Sequence, residues 1–73
     1  MVKEEFLRLR HLLSVNIKRL RKEQGIAQER LGLEVGVDRT LISKIEREIA
    51  NPSLEVLTKI AVCLGVQVKD LFK

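Results

Sequence analysis

Side chains that donate hydrogen bonds are concentrated between positions 39 and 47, in the run Arg-Thr-Leu-Ile-Ser-Lys-Ile-Glu-Arg. Arg39 and Lys44 are of the types that donate to O6 and N7 of guanine, and Thr40 can bond to a base or a phosphate. Leu41 offers apolar surface of the kind that contacts a thymine methyl group. Such recognition requires a rigid element that presents these side chains together.

The chain lacks the residue sets of an enzyme active site or a metal centre. His11 is its only histidine and Cys63 its only cysteine. There is no plausible Ser-His-Asp set and no glycine-rich loop that could cradle a phosphate. We therefore expect no enzymatic activity, no metal, no cofactor and no small-molecule ligand. His11 is interpreted as an exposed helix residue, and Cys63 as a small buried hydrophobic residue.

The charge balance favours an anionic partner. Fourteen Lys and Arg residues stand against ten Asp and Glu residues, which gives a net charge of +4 and a sequence pI near 9.6. Positive charge is concentrated at the start of the chain, where positions 1–24 carry seven basic and three acidic residues. A basic surface of this kind is compatible with nucleic acid.

Length and hydrophobicity limit how the chain can be organised. With 73 residues, 45% hydrophobic and 33% charged, the sequence predicts a single globular domain over positions 1–73. Lys3, Glu4 and Glu5 occupy the place where a signal peptide needs an apolar run. The longest apolar stretch, at 60–66, is far shorter than the roughly 20 residues of a membrane span. We expect a cytoplasmic protein with no membrane partner.

Apolar residues at spacings of three and four predict five helices and no strand. The first helix, over about 3–24, is either continuous or broken near Ser14. Pro52 bars helix continuation, and Ser53 is available to cap the helix that follows. The other four helices are expected at about 28–35, 39–47, 54–64 and 68–73.

Two glycines meet the demands of a helix pair in which one helix supports another. Gly32 lies inside the second helix, where it is expected to allow close approach to the third at a cost of about 0.5–1 kcal/mol relative to Ala. Gly36 can reverse the chain through a left-handed conformation, and Asp38 is placed to cap the third helix. The inner face of that helix is apolar, with Val37, Ile42 and Ile45.

The run at 28–47, Gln-Glu-Arg-Leu-Gly-Leu-Glu-Val-Gly-Val-Asp-Arg-Thr-Leu-Ile-Ser-Lys-Ile-Glu-Arg, resembles the helix-turn-helix of the Cro/C1-type (Xre) family, which includes the lambda-type phage repressors. The resemblance continues through Asn51-Pro-Ser-Leu, Ile60-Ala and Leu64-Gly-Val to Asp70-Leu-Phe, and so covers nearly the whole chain after Ile17. Within the family, the start Val37-Asp-Arg-Thr and the lack of a second domain resemble the small controller proteins of restriction–modification systems.

The resemblance implies a compact five-helix, lambda-repressor-like fold and a transcriptional regulator that binds double-stranded DNA. A homodimer on a two-fold symmetric operator is the implied form, with regulation of its own gene as a possible role. Arg21 and Glu46 match two family positions that form a structural ion pair. The positions implied to contact DNA are Gln28, Arg39, Thr40, Leu41, Ser43, Lys44 and Arg47.

The end of the chain carries more apolar surface than one short helix can bury, and a chain this small without disulfides often gains stability from association. We therefore expect the dimer interface to include Val66, Val68, Leu71 and Phe72.

Three departures from the family pattern affect the DNA-facing loops. Ala27 stands where Ser or Thr usually caps the second helix, which should cost about 1 kcal/mol of capping. Glu48 replaces the usual glycine after the third helix, and Ile49 and Ala50 replace Lys or Arg. Because Glu tolerates positive φ poorly, an altered path is expected for this loop, together with weakened nonspecific binding.

An interaction module, such as the antitoxin of a toxin–antitoxin pair, is the main alternative. It would use apolar residues on another face, for which Leu7, Leu12 and Ile49 are candidates. Scattered apolar residues are normal on protein surfaces, so a neighbouring toxin gene would be the deciding observation.

Overall fold

The computed structural model describes all residues from Met1 to Lys73, and the chain is entirely helical. Four α-helices are followed by a short 3₁₀ helix, in agreement with the expected five helices. No helix has the length and apolar character that crossing a membrane requires. The helices are α1 (Val2–Glu23), α2 (Gln28–Val35), α3 (Arg39–Glu46), α4 (Leu54–Leu64) and the 3₁₀ helix Val68–Phe72.

Local capping explains where the short helices begin and end. The Asp38 carboxylate accepts a hydrogen bond from the Thr40 backbone N–H at 2.9 Å, and the Ser53 hydroxyl accepts one from Val56 N–H at 3.1 Å. Gly36 ends α2 in the left-handed conformation, with φ 81°. Ala27 provides no side-chain cap to α2, as its residue type predicts.

The core lies between the helices: α1 packs against α3 and the 3₁₀ helix, and α2 packs against α3 and α4. Its six completely buried large side chains are Ile17, Leu31, Ile42, Ile45, Ile60 and Leu71. Burial of this apolar surface is the main term that stabilises the fold.

Leu71 requires a correction to the expected dimer interface. Its side chain has no exposed surface, because it belongs to the core cluster that also contains Leu13 and Ile17. Leu71 is therefore not available to a partner. Val66, Val68 and Phe72 are half-buried and pack against the edge of the same core.

Asn16 anchors the end of the chain to the middle of α1. Its amide nitrogen donates to the backbone carbonyl of Leu71 at 3.0 Å and to that of Lys73 at 3.1 Å. Both acceptors lie at the end of the 3₁₀ helix, where carbonyl groups would otherwise lack partners. The side chain of Asn16 is buried. Its two hydrogen bonds hold the end of the 3₁₀ helix, and Leu71 with it, against α1.

Candidate nucleic-acid interface

The crossing of α2 and α3 is set by Gly32. A Cβ atom at this position would lie 2.9 Å from the carbonyl oxygen of Val37 and 3.2 Å from the backbone nitrogen of Arg39. Both neighbours are backbone atoms, which cannot move aside as a flexible side chain can. The close approach expected from the sequence is therefore present, and it fixes the position of α3 on its support.

Helix α3 has one buried face and one exposed face. Ile42 and Ile45 are buried in the core, whereas Arg39, Thr40 and Lys44 are exposed. The exposed side chains lie on the first two turns, and Lys44 forms no ion pair within the chain. This arrangement leaves a row of hydrogen-bond donors facing away from the body of the protein.

Leu41 and Ser43 take part in this row to a smaller extent. Leu41 is half-buried and packs against the core, so only part of its side chain can meet a base. The Ser43 hydroxyl accepts a hydrogen bond from Nε of Arg47 at 3.1 Å. Ser43 therefore holds the guanidinium of Arg47, which is exposed just beyond the end of α3.

An ion pair beneath the exposed row of donors on α3 joins α1 to the end of that helix. Arg21 donates through Nε to Oε2 of Glu46 at 2.7 Å and through Nη2 to Oε1 at 2.9 Å. The side chains are 10% and 3% exposed, so the two charges are largely removed from water. Nη1 of Arg21 also donates to the carbonyl oxygen of Ile26 at 2.9 Å, in the turn before α2. One guanidinium thus ties together α1, this turn and α3.

The electrostatics of this pair favour the ionised state. Burial by itself raises the pKa of Glu46, but the hydrogen bonds from Arg21 and Gln28 and the charge of Arg21 outweigh it, so the pKa lies below its usual range. The hydrogen bond to Glu46 likewise raises the pKa of Arg21. Both groups are charged at neutral pH, and the pair is held by two parallel charge-assisted hydrogen bonds.

Gln28, which the family resemblance implied to be a DNA contact, also has a role within the structure. Its amide nitrogen donates to Oε1 of Glu46 at 3.1 Å, a link that sequence reasoning did not anticipate. An amide group carries two N–H donors, and Gln28 begins α2, where backbone N–H groups are free. Gln28 can therefore bind Glu46 and a phosphate at the same time.

Arg39 has an acidic neighbour that the sequence did not reveal. One of its guanidinium nitrogens lies 4.0 Å from Oε2 of Glu29, and both side chains are exposed. Exposed pairs at this distance contribute little to stability.

The loop after α3 takes the left-handed path that a glycine would allow. Glu48 has φ 64°, and Ile49 N–H closes the turn on the carbonyl of Lys44 at 2.9 Å. The expectation that Glu48 would change this path was wrong, because the capping hydrogen bonds hold the residue in a conformation that costs an L-amino acid about 1–2 kcal/mol. The Glu48 carboxylate lies 3.1 Å from Nδ1 of His11, which draws it towards α1.

Comparisons with known proteins agree with this geometry. The family model HTH_3, described as helix-turn-helix, matches residues 17–71. Control protein C.BamHI from Bacillus amyloliquefaciens is 41% identical over 64 residues, which span 86% of this chain and 79% of that protein.

Two further matches have solved structures. A hypothetical transcription factor from Neisseria, NHTF, superimposes with a TM-score of 0.85 at 37% identity, over 89% of this chain and 75% of the solved one. In sequence, the chain spans 59% of the full Neisseria meningitidis protein. The biofilm master regulator SinR, solved in complex with DNA, superimposes with a TM-score of 0.78 at 35% identity, over 84% and 98% of the two chains.

The matched region contains the whole of α2 and α3, the close crossing at Gly32 and the Arg21–Glu46 pair. The chain therefore belongs to the HTH_3 helix-turn-helix family, of the Cro/C1 (Xre) type.

Proposed function

We propose that this chain is a transcriptional regulator that binds double-stranded DNA in a sequence-specific manner, and not an enzyme. The observation that carries the proposal is the exposed row of donors on α3, above a face whose isoleucines are buried. An α-helix presented in this way fits the major groove, which is about 12 Å wide. SinR, a relative with the same fold, has been solved with DNA bound.

The two kinds of contact on this surface have different tasks. Arg39, Thr40 and Lys44 are placed to meet base edges and so to select a sequence. Gln28 and Arg47, at the ends of α2 and α3, are placed to meet phosphates and to fix the register of the protein on the duplex. Both phosphate contacts are connected to the base-reading helix, through Glu46 and Ser43 respectively.

A homodimer on a two-fold symmetric operator is part of the proposal. A single helix-turn-helix covers one half-site, and two of them spaced about one helical turn apart read a palindrome with higher affinity. The similarity to control protein C.BamHI favours a controller of a restriction–modification system that regulates its own gene. Dimerisation would then make occupancy of the operator rise steeply with protein concentration.

Replacing Arg39 or Lys44 with Ala tests the base-reading role. Each change is expected to reduce the difference in binding free energy between cognate and scrambled duplexes by roughly 1–3 kcal/mol, because a bidentate base contact supplies that discrimination. Fluorescence anisotropy on both duplexes at constant salt measures it. Lys59→Ala is the matched control, since it removes the same charge from the exposed face of α4. Unchanged discrimination in both variants would exclude these residues from base readout.

Replacing Glu48 with Lys tests how closely the loop after α3 approaches the phosphates. The change removes an acid and adds a base, so nonspecific binding is expected to tighten and the slope of log K against log[salt] to steepen by about 0.9. Salt titrations of binding to a random duplex measure the slope, with Glu55→Lys on α4 as the control for charge alone. Equal slopes in wild type and Glu48→Lys would show that this loop stays clear of the backbone.

A further inference from the structure

The N-terminal half of α1 carries an apolar stripe that the chain itself does not cover. Val2, Phe6, Leu9 and Leu13 follow one another at spacings of four, three and four, and so lie on one face of the helix. Leu13 is buried in the core, but Phe6 is 40% exposed and Val2 84% exposed. The stripe therefore begins in the core and continues out of it along the helix.

This stripe borders an open apolar groove. The groove has a volume of about 200 Å³ and lies between α1, the loop that precedes α4 and the end of the 3₁₀ helix. The apolar side chains of Val2, Phe6 and Leu9 line a second hollow beside it. None of the residues assigned to DNA contact lines either hollow, so this surface and the outer face of α3 can be occupied together. The apolar lining of the groove includes Phe6, Leu9, Leu13, Pro52, Leu57 and Phe72.

The remaining C-terminal residues are too few to form a stable dimer interface alone. Leu71 is buried, and Val66, Val68 and Phe72 are half-buried. Even a full Phe side chain buries only about 150–250 Å², so these three residues can offer on the order of 150 Å², against roughly 800 Å² per partner in a standard interface. A dimer that includes Phe72 needs more apolar surface next to it, and the α1 stripe is that surface.

We propose that the α1 stripe and Phe72 form one continuous face that pairs with the same face of a second copy of this chain. The inference rests on the homodimer of the proposed function and specifies where its subunits meet. Pairing of identical faces about a two-fold axis matches the symmetry that a palindromic operator requires. The stripe lies before position 17, where the match to the family model begins.

Arg10 supplies a second observation at the same face. Its guanidinium carbon lies 5.0 Å from the centroid of the Phe6 ring, and the residue lines the groove. Its Nε is buried and has no hydrogen-bond partner within the chain. Buried donors normally have acceptors, so this unsatisfied donor shows that the packing at this face is incomplete in the single chain.

Phe6→Glu, with Leu7→Glu as its matched control, tests the proposal. Phe6 and Leu7 are neighbours on α1 and are exposed to nearly the same extent, 40% and 41%, but only Phe6 lies on the stripe. Phe6→Glu is expected to raise the dimer dissociation constant at least about tenfold, as expected for an aromatic residue near the centre of an interface. Leu7→Glu is expected to leave it unchanged. Sedimentation equilibrium over a dilution series measures both constants.

Val2→Glu separates a direct effect on dimerisation from a loss of folding, since the Val2 side chain is almost fully exposed and makes no contribution to the core. It is expected to weaken dimerisation while thermal unfolding followed by circular dichroism stays as in wild type. If Phe6→Glu and Val2→Glu both dimerise like wild type while Phe72→Asp does not, the α1 face is excluded and the homodimer stands. If Leu7→Glu weakens dimerisation as much as Phe6→Glu, the stripe has no special role and the proposal is wrong. A wild-type chain that stays monomeric at every concentration contradicts the homodimer itself.

Discussion

Replacing Glu46 with Ala is expected to lower the free energy of unfolding by about 3–5 kcal/mol, because Arg21 would keep a buried charge with no carboxylate to balance it. The Arg21 side chain is only 10% exposed, and the two hydrogen bonds to Glu46 account for two of the three polar contacts of its guanidinium. A small domain has little stability to spare, so a loss of this size should leave much of the protein unfolded at 37 °C. Urea denaturation at neutral pH measures the change.

Two controls separate this buried pair from an ordinary surface pair. Glu23→Ala breaks the exposed pair between Arg19 and Glu23 on the same helix, and should cost only about 0–1 kcal/mol. The double variant Arg21→Met, Glu46→Leu removes both charges and should recover much of the lost stability, since apolar residues of similar volume often replace a buried pair without loss. If Glu46→Ala lowers the free energy of unfolding no more than Glu23→Ala does, the Arg21–Glu46 pair does not hold α1 to α3.

The same pair predicts how the fold responds to acid. Because the pKa of Glu46 is lower in the folded state, its contribution to stability is complete above the unfolded pKa of about 4.3 and is lost as pH falls through the lower folded value. The double variant, which has no carboxyl group at this position, should lose less stability between pH 6 and pH 3 than wild type. An identical loss in both proteins would assign the acid sensitivity to other carboxylates.

Replacing Gly32 with Val is the second change for which a large effect is expected. The Cβ of any residue here would meet the carbonyl of Val37 at 2.9 Å, and the two γ carbons of Val have no room between α2 and the start of α3. Forcing the helices apart should lower the free energy of unfolding by about 1–3 kcal/mol or more, as overpacking of a core does. Because α3 would tilt on its support, DNA binding should weaken further than the loss of stability alone explains.

Gly32→Ala and Leu33→Val are the reference variants against which the stability of Gly32→Val is compared. Ala gains up to about 1 kcal/mol of helix propensity, but its Cβ would meet backbone atoms at 2.9 Å and 3.2 Å, so a net loss of stability is expected that is smaller than the loss for Val. Leu33 is exposed on the same helix, and its replacement by Val should lower the free energy of unfolding by well under about 1 kcal/mol. This variant measures the effect of a β-branched residue on the helix without any effect on packing. A Gly32→Val protein with the stability of Leu33→Val would show that the crossing is not tight.

Features that depend on neighbouring residues in the chain were predictable from the sequence. Asp38 and Ser53 were expected as caps from their type and position, and each accepts the hydrogen bond that a cap accepts. The close approach at Gly32 was expected because a glycine inside a helix is unfavourable unless it permits a contact. The pair of Arg21 and Glu46 joins residues 25 positions apart, and it was expected only because both residues match family positions that form an ion pair.

Features that depend on distant contacts were not predictable in this way. Leu71 was assigned to a dimer interface because it belongs to a short apolar terminal helix, and the hydrogen bonds by which Asn16 holds that helix over the core join residues 55 and 57 positions apart. The link from Gln28 to Glu46 joins residues 18 positions apart and requires the fold to be known. A polar residue on the apolar face of α1 was the one signal that could have indicated the role of Asn16.

Cys63 is less buried than the sequence predicted. It was expected to be a small buried hydrophobic residue, and the structure places it half-buried on α4 with its Sγ 2.8 Å from a carboxylate oxygen of Glu34. Burial and the neighbouring Glu34 raise the pKa of the thiol to about 11. The thiol therefore stays protonated at neutral pH, which agrees with an unreactive side chain.

We propose that the outer face of α3 reads a DNA sequence in each subunit of a symmetric dimer. Selection of bound fragments from random duplex DNA tests it most directly, because the recovered site reports specificity, symmetry and spacing together. We expect enrichment of a palindrome whose half-sites are centred about 10 base pairs or a multiple of that apart, with the double variant Arg39→Ala, Lys44→Ala losing the enrichment. Recovery of unenriched sequences by the wild-type protein, or of the same palindrome by the double variant, would contradict the claim.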